Sequence, residues 1–195
     1  MIEYKKNENG EILLDECQNP IIEKAYNTKS NIVLQTIVDK LFRDDESEIY
    51  AQYPTDLSET VLMGINFYDA QLQNVIFTDA QLQNADFSET QLKGTIFLRT
   101  QLQYAIFHRA ESQYACFTNA QLENADFSKA QLKKVRFEWG AQLRDVDFSE
   151  SYDIDKAYFE NNPWNMKTNF KDTAFENKTI EELTEIMGNS PTPLE

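Results

Sequence analysis

The chain has 195 residues, of which 41% are hydrophobic, and its 33 acidic and 18 basic residues give a formal net charge of −15. A negative surplus of this size argues against direct binding to nucleic acid or to an anionic membrane, and no apolar run reaches the length of a membrane span. Cys17 and Cys116 give no sign of pairing, so we expect a cytoplasmic protein of one domain, alone or with caps.

The first 53 residues carry signals for one hairpin and two helices. Asn-Gly at 9–10, between the short alternating segments 2–4 and 12–14, is typical of a hairpin turn. Pro20 after an asparagine is typical of a first helical turn. A second helix is predicted to begin near residues 30 and 31, with one apolar face made of Val33, Leu34, Ile37, Val38, Leu41 and Phe42.

From about Thr55 to Phe175 the sequence repeats every five residues. A large apolar residue marks each fifth position, a small or β-branched residue stands two positions before it, and turn-forming residues follow it. Within each five, Ala-Gln-Leu alternates as a short strand does, with Ala and Leu on one face and Gln on the other. Strand and corner, repeated in one sense, wind the chain into a solenoid whose large side chains point inward.

Two stretches carry a resemblance to a known family. Ala-Gln-Leu-Gln-Asn-Ala-Asp-Phe at 80–87 and Ala-Gln-Leu-Glu-Asn-Ala-Asp-Phe at 120–127 resemble the pentapeptide-repeat family. The resemblance implies an all-β solenoid, a right-handed four-sided parallel β-helix, which we place at residues 54–176. Since an open solenoid end has to be covered, we interpret 1–53 as an N-terminal helical cap segment, with a separate binding module as the alternative.

Four sides per coil place each residue on the one twenty positions later. The predicted core ladders are Phe67, Phe87, Phe107 and Phe127; Phe77, Phe97, Phe117 and Phe137; Leu72, Leu92 and Leu132; and Leu82, Leu102 and Leu122. Ser112 interrupts the third ladder, where we expect a buried hydroxyl and a small void. Single extra residues near Trp139-Gly140 and before Ile154 are interpreted as bulges, and Asn161-Asn162-Pro163 as a loop.

Residues 177–195 are predicted to form a C-terminal capping helix and a tail. Thr179 and Glu182 make a capping box, and Gly188 is a fitting stop. The apolar stripe, made of Ile180, Leu183, Ile186 and Met187, must pack on the last coil of its own chain or on a second chain. Resistance members of the family that the chain resembles form C-terminal dimers, which implies a homodimer through this helix.

The sequence predicts no catalytic, cofactor-binding or metal site. His108 is the single histidine and is expected at a corner facing solvent. Cys116 is expected to point outward, without the cation and cleft that a reactive thiol needs. The carboxylates follow turn and strand positions, as a solvated surface does.

Function is therefore expected on the outward positions. Those before the inward Leu residues are mostly Gln, and stacked Gln side chains can hydrogen-bond along the ladder. One remaining side carries an acidic ladder, broken by Ile106 and made of Asp86, Asp126 and Asp147. The other carries a candidate interface, made of Ile76, Ile96 and Cys116 with Leu98 at the adjoining corner.

We consider three function classes. The first is a non-enzymatic interaction or scaffold protein that presents flat faces of a β-helix to a protein partner, whose identity the sequence does not give. The second follows from the resemblance, since some family members mimic DNA, bind type II topoisomerase (gyrase) and confer quinolone resistance. Less than half of the net negative charge falls on the repeat, and this distribution fits a DNA mimic poorly. The third is an enzyme with a site in the caps.

Overall fold

A computed structural model describes residues 2–4, 22–25, 29–43, 55–164 and 167–188 of the chain. The chain divides into two compact units, residues 1–37 and 38–195. Among the described residues, no helix is long and apolar enough to cross a membrane.

In the first unit, strand β1 (Ile2–Tyr4) pairs antiparallel with strand β2 (Ile22–Ala25). One prediction is therefore wrong, because the helix expected from Pro20 gives way to β2. The predicted turn at 9–10 and segment 12–14 lie outside the described residues. A pairing between segments distant in sequence overrides a local helix signal, because β propensity depends on the partner strand.

Helix α1 spans Lys29–Phe42 and begins one residue before the predicted start. Val38 and Phe42 are buried, whereas Ile37, placed by the sequence on the same apolar face, is 47% exposed. The rest of the predicted face lies outside the side chains that the structure describes. The second unit therefore begins with the last turns of α1.

The repeat is held together by parallel β-bridges between successive coils. A coil is twenty residues long and holds four bridge positions, five residues apart, as in Asn66↔Asp86, Gln71↔Gln91, Ile76↔Ile96 and Gln81↔Gln101. The three-residue strand expected in each five is mostly reduced to this single bridge residue. The reason is the corner, because every fifth residue has a left-handed backbone, such as Asn74 (φ 61°), Asp79 (φ 59°) and Asn84 (φ 59°).

The core consists of stacked side chains that point inward from each coil. Phe107 lies between Phe87 and Phe127, with ring centroids 4.9 and 4.5 Å away, and meets Phe97 edge to face at 5.8 Å. None of these rings is exposed. Buried threonines satisfy their hydroxyls on the coil before them, as Thr95 Oγ1 does by donating to the Leu72 carbonyl at 2.7 Å.

Ser112 occupies the third ladder as expected. It is fully buried, and its Oγ has no hydrogen-bond partner among the described residues. The uncompensated hydroxyl makes this the one described break in an otherwise apolar ladder, between Leu92 and Leu132.

The predicted bulge at Trp139-Gly140 is confirmed by a change in the bridge spacing. Gln121 bridges Gln142, a step of one extra residue, and both Trp139 and Gly140 have positive φ angles, 55° and 91°. Strand β3 (Arg136–Glu138) precedes this bulge and pairs in parallel with strand β4 (Tyr158–Glu160), with a short 3-10 helix at Ile154–Lys156 between them.

The segment 161–163 is a loop, as predicted, and Asn162 within it forms hydrogen bonds with two other parts of the chain. Asn162 is fully buried, and its Nδ2 donates to the Phe137 carbonyl at 2.7 Å. Its backbone N–H donates to the Met187 carbonyl at 2.9 Å. Trp164 beyond the loop is buried.

Helix α2 spans Ile180–Met187 and has the predicted termini. The Thr179–Glu182 capping box is present, and Gly188 ends the helix with a φ of 72°. Hydrogen bonds from the Thr179 backbone N–H and side chain lower the pKa of Glu182. Leu183 and Met187 are buried within their own chain, whereas Ile180 is 50% exposed.

Candidate interaction surfaces

The predicted apolar interface residues stack on one side of the repeat. Ile76 bridges Ile96, and Ile96 bridges Cys116, so their side chains occupy successive coils. All three are half-buried, as is Leu98 in the corner that follows Ile96. We call these four residues the apolar column.

Charged residues bound the apolar column at both ends. Asp56 bridges Ile76 at one end, and Arg136 bridges Cys116 at the other. Arg136 is held by Glu138, with Nη2 at 2.7 Å from the Glu138 carboxylate, and this hydrogen bond raises the pKa of Arg136. The Cys116 thiol donates to Thr118 Oγ1 at 3.3 Å. The column is thus a strip of three coils with polar ends.

The acidic ladder also stacks in one column, with Asp86 bridging Ile106, Ile106 bridging Asp126, and Asp126 bridging Asp147. Ile106 is 39% exposed and interrupts the negative charge. We call Asp86, Asp126 and Asp147 the acidic column.

Each aspartate of the acidic column also shapes its own corner, which sequence reasoning missed. Its Oδ1 accepts the backbone N–H of the serine two residues later, at 2.9 Å for Ser88, 2.7 Å for Ser128 and 2.8 Å for Ser149. The recurring Asp-Phe-Ser triplet was the available signal, since Asp favours such local turns. Carboxylates at this position are therefore structural as well as charged.

The Gln residues bond between coils, but not as expected. A Gln at a corner donates to the Gln at a bridge position of the next coil, as in Gln73 Nε2 to Gln91 Oε1 at 2.5 Å and Gln103 Nε2 to Gln121 Oε1 at 2.6 Å. The Gln side chains on these two sides of the repeat therefore make structural hydrogen bonds between coils.

Basic residues at the corners pair with acids on neighbouring coils. Arg99 binds Asp79 through two contacts at 2.5 and 2.8 Å, which lower the pKa of Asp79. Arg144 pairs with Glu123 at 3.1 Å. The corners therefore present mixed charge rather than a continuous negative field.

His108 differs from its prediction. It is half-buried, and its Nδ1 lies 2.8 Å from Ser128 Oγ on the next coil, because the corner side chains of adjacent coils stack. The described part of the chain holds no group of three or more His, Cys, Asp or Glu residues that could hold a metal ion.

The bridge pattern defines a class, a β-helix of stacked five-residue repeats, and the comparisons with known proteins agree. The family model for pentapeptide repeats matches residues 80–111 and 113–140 with eight copies. Through this segment the chain belongs to the pentapeptide-repeat family, whose repeats form right-handed β-helices.

Solved structures of similar proteins include three from different sources. A pentapeptide repeat protein (Rfr23) from the cyanobacterium Cyanothece 51142 is 23% identical, with 60% of this chain and 64% of that chain covered and a TM-score of 0.40. QnrB1, a plasmid-mediated fluoroquinolone resistance protein, is 18% identical, with 70% and 89% covered and a TM-score of 0.33. A pentapeptide repeat protein from the Arabidopsis thaliana thylakoid lumen is 21% identical, with 66% and 77% covered and a TM-score of 0.25. No curated protein sequence matches the chain.

Proposed function

We propose that the chain is a non-enzymatic interaction protein, a four-sided β-helix whose flat outer faces bind a protein partner. Four bridge positions in each coil support four sides, because each position gives one short straight segment between corners. The rigid stack of fully buried rings supports a scaffold role, since it holds outward side chains at fixed spacing.

The ends of α1 and α2 act as caps in this proposal. The guanidinium of Arg43 donates to the carbonyls of Asn66 and Tyr68 at 2.8 Å, and the Phe42 carbonyl accepts the Gln71 N–H at 2.8 Å. In later coils, groups of the preceding coil make the equivalent bonds, as in Gln91 N–H to the Ala70 carbonyl at 3.0 Å. The end of α1 therefore makes, at the start of the repeat, the hydrogen bonds that a further coil would make.

The observation that carries the proposal is the apolar column. Ile76, Ile96 and Cys116 bridge one another in succession, so apolar side chains lie together on a face where neither the fold nor hydrogen bonding requires them. Contiguous apolar surface on a soluble protein marks a contact site far more often than scattered apolar residues do.

The test is the double substitution Ile76→Asp and Ile96→Asp, with Ile106→Asp as the matched control at the same kind of bridge position. We expect the double variant to keep its melting temperature and to lose the partners that the parent protein and the control capture. Partners are identified by affinity capture and mass spectrometry. Unfolding of the double variant would show the column to be buried by its own chain, and unchanged capture would place the binding face elsewhere.

A second candidate is a DNA mimic that binds type II topoisomerase. The acidic column favours it, because Asp126 and Asp147 bridge directly and Asp86 lies two coils from Asp126. The mixed charge at the corners weighs against it, since a mimic needs a continuous negative surface.

A gyrase supercoiling assay, with and without a quinolone, tests this candidate. Conversion of the acidic column to asparagine removes the charge and keeps the Oδ1 acceptor that each corner uses, whereas conversion to lysine reverses the charge. Inhibition by the parent protein that both triple variants lose would support the mimic. No effect of the parent protein on supercoiling would remove this candidate.

A further inference from the structure

A groove opens beside the last coil of the repeat. Its volume is about 580 Å³, and its lining includes Tyr158 and Phe159 of β4, Phe175, and Ile186 of α2. It lies at the end of the β-helix, on the side that carries the apolar column, because Tyr158 bridges Arg136 and Arg136 bridges Cys116.

The groove contains the free edge of β4. The N–H groups of Phe77, Phe97 and Phe117 each donate to a carbonyl of the following coil, at 2.7, 2.7 and 2.8 Å. Phe159 follows Phe137 in this ladder, but the described residues form no further coil beside it, and none of them accepts its N–H. An unpaired strand edge is a template for another strand.

The core ladder is also left open at this point. Phe159 stacks on Phe137 with centroids 5.2 Å apart, and it meets Phe175 edge to face at 5.9 Å. Every earlier phenylalanine of the ladder is fully buried, whereas Phe159 remains half-buried. The groove therefore offers apolar ring surface next to an open backbone edge.

The charge around the groove is negative. Glu138, Asp155, Glu160 and Lys178 line it. Glu138 is paired with Arg136 at 2.7 Å, and Lys178 with Glu182 at 3.8 Å. Asp155 and Glu160 are exposed and make no ion pair with described residues, so the charge left for a ligand to neutralise is that of two carboxylates.

We propose that this groove binds an extended segment of a partner protein, which adds a strand to the free edge of β4 and carries lysine or arginine between apolar residues. A backbone carbonyl of the segment accepts the Phe159 N–H. Apolar side chains cover Phe159, Phe175 and Ile186, and the cation lies near Asp155 and Glu160. Strand addition uses the backbone for affinity and alternate side chains for specificity. The site goes beyond the proposed function, which concerns the outer faces.

Fluorescence anisotropy with the full chain tests the groove. The probe is a labelled seven-residue peptide that alternates valine with lysine, and the matched peptide has glutamate in place of lysine. We expect the lysine peptide to bind, and the glutamate peptide to bind about tenfold more weakly or worse. Two further lysine peptides carry N-methyl groups, one peptide at its odd-numbered residues and the other at its even-numbered residues. Only the peptide whose methyl groups lie on the backbone edge that faces β4 should lose binding.

The protein variants identify the site. Asp155→Lys with Glu160→Lys should reverse the preference between the two peptides. Glu59→Lys with Asp69→Lys makes the same change of net charge at the other end of the repeat and should leave the preference unchanged. Ile76→Asp with Ile96→Asp should also leave peptide binding unchanged, which separates this site from the apolar column.

Three outcomes would overturn the proposal. They are equal binding of the lysine and glutamate peptides, binding that neither N-methylated peptide loses, and binding that the Asp155/Glu160 variant retains without a change of preference. A concentration-dependent dimer that Glu160→Lys abolishes would show that the occupant of the groove is a second copy of the chain, which also overturns the partner assignment.

Discussion

Phe107 shows how much of the fold depends on single inward residues. Its ring is fully buried and contacts ring neighbours on the coils before and after it as well as rings of the other phenylalanine ladder. The bridge residues between such inward positions lie on the surface, where part of each side chain remains solvated. Inward and outward positions in the same coil should therefore differ sharply in their effect on stability.

We expect Phe107→Ala to lower the free energy of unfolding by about 3–5 kcal/mol, because it leaves a cavity between two stacked rings. Gln101→Ala removes an outward side chain that accepts one hydrogen bond from Gln83 at 2.5 Å, and should cost less than half as much. Urea melts of the two variants measure both values. Equal losses would contradict the assignment of inward and outward faces.

At the scale of the element, the end of α1 depends on one side chain. The Arg43 fork reaches the carbonyls of Asn66 and Tyr68, and it also pairs with Asp39 one helical turn earlier. Lysine carries the same charge but has no planar fork with which to serve two carbonyls.

Arg43→Met should destabilise the second unit by about 1–2 kcal/mol, and Arg43→Lys should recover only part of this loss. Hydrogen exchange of the Gln71 amide, which donates to the Phe42 carbonyl, should become faster in both variants. Arg109→Met is the control, because the Arg109–Glu89 pair is exposed and such pairs contribute little. Equal effects of the Arg43 and Arg109 substitutions would show that α1 does not hold the first coil.

The start of α2 should respond to pH. Hydrogen bonds from Thr179 lower the pKa of Glu182 below its usual value of 4.5. A carboxylate with a depressed folded-state pKa contributes its stability above the unfolded value and loses it as the pH falls through the folded value.

We therefore expect amide exchange in residues 179–183 to quicken, relative to the core coils, as the pH falls below 4.5. Glu182→Gln should remove most of this pH dependence, because glutamine keeps the acceptor and does not titrate. Hydrogen exchange followed by mass spectrometry compares the two proteins. A pH response that the glutamine variant keeps in full would assign it to another group.

At the scale of the whole molecule, the homodimer through α2 stays a prediction. Leu183 and Met187 already pack within their own chain, and Ile186 is half-buried, so Ile180, which is 50% exposed, is the most exposed residue of the apolar stripe. Light scattering should give a dimer mass for the parent chain and a monomer mass for Ile180→Glu. A parent chain that is monomeric at high concentration would contradict the prediction.

The sequence predicted the repeat well because its signal is periodic. Large residues at every fifth position must point inward to be buried, and the stacking of Phe87, Phe107 and Phe127 followed from the four sides that the family resemblance implies. The pairing of β1 with β2 could not be predicted in the same way, because the two segments share no repeated pattern. Whether either segment forms a strand depends on the strand that it meets. The groove was also missed, because it depends on where coils stop rather than on any motif.

The bridges from Asp56 to Arg136 all join residues twenty positions apart, and each coil contacts only the coils beside it. Loop closure therefore costs nearly the same entropy at every coil, and no single contact must wait for a distant part of the chain. Folding can then begin at any pair of adjacent coils and propagate one coil at a time in both directions. The bulge at Trp139-Gly140 interrupts this regular spacing, and Ser112 interrupts the apolar ladder inside it, so we expect folding to slow at these two places.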